Sequence, residues 1–151
     1  MAGAALEIDI SELDRIQQAL LRVSKARFGA LADVIGTEVE SQTRRRIEEE
    51  KASPDGQKWE DWSEGYARTR HGNHSLLQNE DHLLDSIHHV VTGMELEVGS
   101  NLVYAGVHQE GSEDGTIPPR PYLGLSAEDE ADVLAVVEEF LGTKLSGAGL
   151  S

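Results

Sequence analysis

The sequence contains no cysteine, which excludes disulfide frameworks, thiol nucleophiles and thiolate metal sites. Proline occurs four times, and aromatic residues make up only 5% of the chain. Basic side chains are also scarce: 13 Lys and Arg stand against 28 Asp and Glu, for a formal charge of −15. Duplex affinity comes largely from neutralised phosphates, so this balance argues against nucleic-acid binding unless the basic residues cluster. No segment approaches the roughly 20 apolar residues needed to span a bilayer. Residues 1–10 lack the basic and apolar regions of a secretory signal. A soluble protein made in the cytoplasm, with no membrane partner, is therefore expected. The apolar fraction, 38% of 151 residues, is low for a compact monomer. It suffices if part of the surface is buried against copies of the chain or other subunits.

What is present is organised by period. Leu6, Ile8 and Ile10 alternate with Glu7 and Asp9, the pattern of a half-buried strand. Ser11 and Asp14 form a capping pair ahead of Leu13, Ile16, Leu20 and Val23, which recur at helical spacing. Phe28, Leu31, Ile35, Val39 and Ile47 continue a similar stripe to about Glu50, after a break near Lys25. Residues 52–79 have no sustained period. Ser53-Pro54-Asp55-Gly56 within them is a turn sequence, with Trp59, Trp62 and Tyr66 following. A run from Leu84 through Ile87, Val90 and Val91, then Met94, Leu96 and Val98, predicts a β-hairpin turning at Thr92-Gly93 and ending at Gly99. Residues 102–111 read as a short helical or irregular piece, and residues 111–115 as a polar loop. Ile117-Pro118-Pro119-Arg120-Pro121 is a stiff connector. Ser126 and Asp129 cap a last helix with an acidic first turn and an apolar face of Val133, Val136, Val137, Phe140 and Leu141. The fold class is α+β: a small, mainly antiparallel sheet with a long N-terminal helix and a C-terminal helix packed on it. Residues 1–145 form a single domain and residues 146–151 a flexible tail.

Three segments carry a family resemblance. Pro54-Asp55-Gly56-Gln57-Lys58-Trp59 resembles the P-x-G-x-x-W segment of the phage virion morphogenesis (tail completion) family of Mu-like and related tailed phages. Val98-Gly99-Ser100 followed by Tyr104-Ala105-Gly106-Val107-His108-Gln109-Glu110-Gly111 is similar to that family's G-S … Y-A-x-x-H-Q-x-G block. Residues 117–126 resemble its I-P-x-R-P-[FY]-L-G-[LI]-S block; Tyr122 stands where Phe is also common. The resemblance spans roughly residues 53–141. It implies a structural virion protein of the neck or tail end, acting in tail completion and head–tail joining as a homo-oligomeric ring, a hexamer by expectation, around the axial DNA passage. Other neck and tail proteins are the implied partners. The DNA passes by without sequence-specific binding, and an acidic lining would let it slide. The implied location is the virion, and the host cytoplasm during assembly. The family has no known enzymatic activity, so no catalytic residue and no cofactor or metal is implied.

Several individual residues admit a plain structural role beside a functional one. His108 reads either as a ligand or base beside Gln109 and Glu110, or as a histidine bonding backbone carbonyls where a short helix ends. With no second histidine at ligand spacing, the second reading is favoured. Arg120, between prolines, is expected to pin the connector to a carboxylate or to carbonyls, within the subunit or across to a neighbour. Arg44, Arg45 and Arg46 form either a partner contact or a cluster near a helix C-terminus paired with Glu40 and Glu48 to Glu50. Trp59, Trp62, Tyr66 and Tyr122 are core or interface anchors. His88 and His89, adjacent in a strand, face opposite sides and cannot share a metal ion. Three alternatives remain: a tail-terminator-like cap, a small metal-dependent hydrolase using His71, His74 or His108, and a regulatory binding module.

Overall fold

The computed structural model describes residues 3–9, 25–69, 75–78, 82–93 and 95–142. The helix expected from Ser11, the histidines at 71 and 74, and the tail at 146–151 lie outside these residues. Strand β1 (Ala4–Asp9) is followed by helix α1 (Lys25–Arg45), which runs on through a π-helical turn (Arg46–Glu50). Short helices α2 (Glu64–Ala67) and α3 (His82–Ser86) precede the hairpin strands β2 (His88–Thr92) and β3 (Glu95–Ser100). Helices α4 (Ala105–Glu110) and α5 (Ala127–Leu141) complete the order.

The sheet is antiparallel, with β3 in the centre: Leu6 pairs with Val98 and Ile8 with Leu96 on one side, and His89 and Val91 face the same two residues from β2. Because side chains alternate across a strand, Leu6, Ile8, Leu96, Val98, His89 and Val91 share the face that packs on α1. The opposite face carries the rows Glu7–Glu97–Val90 and Asp9–Glu95–Thr92. Helix α1 contributes Phe28, Leu31, Ala32, Ile35 and Val39 to the core, its π-helical turn adds Ile47, and α5 closes it with Val133 and Val137. Arg27 also sits 5.3 Å over the Phe140 ring, tying the start of α1 to the end of α5. These apolar stripes follow the expected 3.6-residue and two-residue periods, and their burial drives the assembly of the layers.

One boundary differs from the sequence reading. The run from Leu84 was expected to be strand, but residues 82–86 are helical and β2 starts at His88. Short apolar runs do not discriminate helix from strand by period. Here tertiary contacts decide. Leu83 is buried, and the Ser86 hydroxyl bonds the Leu83 carbonyl at 2.6 Å and lies 2.6 Å from the Ser100 hydroxyl.

Candidate functional site

The three motif segments, far apart in sequence, meet along the extended connector between α4 and α5. The first is a tight turn. Gly56 N–H bonds the Ser53 carbonyl at 2.8 Å, the Asp55 carboxylate accepts from Gln57 N–H, and Trp59 N–H bonds the Lys51 carbonyl. This delivers the Trp59 ring into the core, where Nε1 donates to the Pro121 carbonyl at 2.9 Å. Gly124 allows the turn to lie against the connector: its φ is 141°, and a Cβ there would sit 2.7 Å from Pro54 Cγ.

The second segment, α4, docks on the same connector. Gln109 Oε1 accepts from both Tyr122 N–H and Leu123 N–H at 3.0 Å, and its amide donates to the Leu123 carbonyl. The Tyr122 hydroxyl, fully buried, donates to the Ala105 carbonyl at 2.9 Å. Burial alone pushes this phenol well above its ordinary pKa, so it remains a donor at any physiological pH. Arg120 N–H bonds the His108 carbonyl, and the Arg120 guanidinium donates from Nε to the Glu60 carbonyl (2.8 Å) and from Nη2 to the Asp61 carbonyl (3.2 Å). The arginine thus pins the connector to backbone carbonyls of its own subunit.

A buried ion pair locks this assembly to the helices. Arg46, 1% exposed, donates from Nη1 to the Tyr122 carbonyl at 2.7 Å and pairs through Nη2 with Asp129, 3% exposed. Asp129 is also the N3 residue of the α5 capping box: its carboxylate accepts from Ser126 N–H while Ser126 Oγ accepts from Asp129 N–H. Gln42 adds a bond to the Asp129 carbonyl at 3.0 Å. One carboxylate therefore caps a helix and neutralises a buried guanidinium, which burial of a charge requires.

The arginine triplet splits accordingly. Arg44 pairs with Glu40 (3.2 Å) and donates to the Ile87 carbonyl; Arg45 pairs with Glu50 (2.9 Å) and reaches Asp129 at 3.4 Å. The three arginines were expected to act together, as a partner contact or as one cluster near the helix C-terminus paired with Glu40 and Glu48 to Glu50. Arg46 corrects this, because the helical period turns it to the same side as Gln42, Thr43 and Ile47, all buried.

His108 also departs from expectation. Its Nδ1 is buried without a hydrogen-bond partner, and the ring packs edge-on against Tyr104 at 5.7 Å between centroids. Burial, together with the positive charge of Arg120, lowers its pKa, so the ring is held neutral. His89 behaves in the opposite way. Its Nε2 lies 2.6 Å from Asp33 and its Nδ1 bonds Glu40, while His88 instead contacts the Ser86 carbonyl. Burial opposes the charged form of His89, but the two carboxylate hydrogen bonds outweigh it and the pKa is raised. The ring lies against Gly36, where a Cβ would overlap it.

Of the aromatic candidates, Trp59 and Tyr122 are core, whereas Trp62 and Tyr66 are not. Trp62 stacks edge-on with Tyr66 at 6.0 Å, and Tyr66 is 47% exposed. They line a groove of about 620 Å³ together with Tyr104, His108, Ile117 and Arg120. Of these aromatics only Tyr66 lies in a helical turn, α2, and Ser63 caps that turn by accepting from Tyr66 N–H. The sequence reading did not single out Asp129 as an ion-pair partner or Gln109 as a structural acceptor. Among the described residues no cluster of His, Asp and Glu is arranged to hold a metal ion, and no helix is long and apolar enough to cross a membrane.

Comparison with known proteins bears out the family resemblance. The chain is 30% identical over 143 residues to the Mu-like prophage FluMu G protein 2 of Haemophilus influenzae, covering 89% of this chain and 95% of that protein. No solved structure matches it. Residues 8–142 match the model of the phage virion morphogenesis family, and the chain belongs to that family.

Proposed function

We propose that the chain is a structural subunit of the phage neck or tail end, not an enzyme, and that it assembles with itself into a ring, a hexamer by expectation, that completes the tail and joins it to the head. Family membership gives a role in phage virion morphogenesis; the ring and its position are the further step. The observation that best supports a structural role is how the motif side chains are spent. Trp59, Gln109 and Tyr122 are each committed to backbone groups of another motif segment, and Arg120 to the two carbonyls that follow the first segment. Such cross-links fix a shape, as a subunit that must present rigid faces to its neighbours requires.

The net charge of −15 supports a non-binding relation to the axial DNA, since a like-charged lining lets the duplex slide. Other neck and tail proteins are the remaining partners of this proposal.

Light scattering on the purified protein, with detection of the chain in intact particles, tests it. The expected result is several copies per particle and a solution mass of six 16.5-kDa subunits, or of fewer if the particle nucleates the ring. A monomer absent from purified particles would overturn it.

A further inference from the structure

The groove beside the connector holds a cation whose hydrogen bonds are incomplete. Arg120 is 7% exposed, yet only Nε and Nη2 are bonded, and both to carbonyls. Among the described residues Nη1 makes no hydrogen bond and no carboxylate lies within 4 Å of the guanidinium. The carboxylates of Glu60 and Asp61, unlike their carbonyls, act on Arg120 only through their more distant charge. Buried charges are ordinarily paired, and Arg cannot shed its proton. The groove walls are mixed: Glu60, Asp61 and His108 line it beside Arg120, while Tyr66 (47% exposed), Tyr104 (38%) and Ile117 (39%) give it an apolar and aromatic rim. A guest that fits therefore carries an apolar knob beside a carboxylate.

The molecule presents such a guest elsewhere on its own surface. Apart from the three rim residues and Val103, which precedes Tyr104, Val90 is the one remaining large hydrophobic exposed among the described residues, at 44%. It stands on the outer face of the sheet in a row with Glu97 and Glu7. Apolar knob and carboxylates are thus combined on one face.

We infer that the groove lined by Trp62, Tyr66, Tyr104, Ile117 and Arg120 receives the outer sheet face of a second copy, with Val90 entering between the aromatic rings and a carboxylate of its row reaching Arg120. This inference rests on the ring reading above and supplies its contact. The two patches differ, so the contact is head-to-tail. That geometry propagates and closes into a ring, whereas a two-fold contact stops at a dimer. It also relieves part of the self-repulsion of a strongly acidic chain, because the carboxylate row of one subunit meets a cation of the next.

The absence of cysteine gives a direct test. Val90→Cys and Ile117→Cys are placed singly and together in the full chain, both positions being exposed enough to leave the fold intact, which circular dichroism verifies. Each variant is oxidised at high protein concentration, resolved by denaturing non-reducing electrophoresis and weighed by light scattering before oxidation. A ladder of covalent multimers from the double variant, with neither single variant giving more than background dimer, is the expected result. Efficient dimers from one single variant would show a two-fold contact and overturn the proposal. An assembly that forms but gives no ladder overturns this contact while leaving the ring reading in place. A chain that stays monomeric at every concentration and gives no ladder overturns this contact, and its absence from purified particles as well overturns the ring reading.

Discussion

Replacing Asp129 with alanine is the most discriminating test of how the fold is held together. The substitution removes the counter-charge of Arg46, which is 1% exposed and has no second carboxylate within 4 Å among the described residues. It also removes one half of the α5 capping box. Breaking a buried ion pair from one side costs about 3–5 kcal/mol, because the surviving charge stays buried. Losing a cap costs about 1 kcal/mol more. For a domain of this size each kcal/mol moves the midpoint by roughly 2–4 °C, so Asp129→Ala is expected to lower Tm by roughly 10–20 °C. Two controls isolate the pair. Ser126→Ala removes only the cap and is expected to cost about 1 kcal/mol. Arg45→Ala removes a 40%-exposed partner of the same carboxylate, with an effect within about 1 kcal/mol. Thermal unfolding followed by circular dichroism reads all three. The double variant Arg46→Met with Asp129→Leu should recover much of the loss, since an apolar pair can replace a buried ionic one. If Asp129→Ala costs no more than Ser126→Ala, the ion pair does not hold α1 to α5 and the reasoning fails.

Other perturbations follow from the same contacts. His89 has a raised folded pKa, so its contribution is complete below the unfolded value of about 6.5 and is lost as pH rises through the folded value. His108 has a lowered one, so its contribution is present above about 6.5 and is lost as pH falls through its folded value. Stability measured by urea unfolding should therefore fall on both sides of that pH. His89→Gln should flatten only the alkaline limb, and an unchanged alkaline limb would contradict the clamp. Gly36→Ala should destabilise, although alanine gains about 1 kcal/mol in helix propensity, because the new methyl expels the His89 ring; a rise in Tm would refute that contact. Gln109→Leu leaves the Tyr122 and Leu123 N–H groups without an acceptor and should cost about 2–4 kcal/mol in urea titration. Tyr122→Phe, which removes one bond to the Ala105 carbonyl, should cost only about 1–2 kcal/mol by the same measurement.

The parts of this fold that were legible in the sequence are those decided within one turn or one strand. The alternation of Leu6 and Ile8 set the face of β1, and the hairpin turned at Thr92-Gly93 as its flanking periods implied. Ser126 and Asp129 announced the start of α5 because a capping box is a local bond pair. What stayed hidden depends on separation. Arg46 and Asp129 are 83 residues apart, and Arg120 finds its acceptors about 60 residues upstream. No period or spacing encodes such partners. The arginine triplet divides for a specific reason: three adjacent cations read as one cluster, but a helix turns successive residues by 100°. Arg44 and Arg45 stay near the surface while Arg46 goes under.

The placement of Arg46 and Arg120 shows why the motif segments lie where they do. Both guanidiniums are buried, and between them they grip the connector: Arg46 through the Tyr122 carbonyl, Arg120 from within it to the Glu60 and Asp61 carbonyls. A proline-stiffened strap cannot hydrogen-bond through its own proline nitrogens, so its carbonyls and remaining N–H groups need acceptors and donors from outside. Trp59, Gln109 and Arg46 meet that need from three different elements. The two cations differ in one respect. Arg46 has its carboxylate inside the subunit, whereas Arg120 has none in contact among the described residues and opens on a groove of exposed aromatics. The first is what folding alone requires. The second leaves a charge beside an apolar surface at the junction of the motif segments, and on that difference the proposed contact between copies rests.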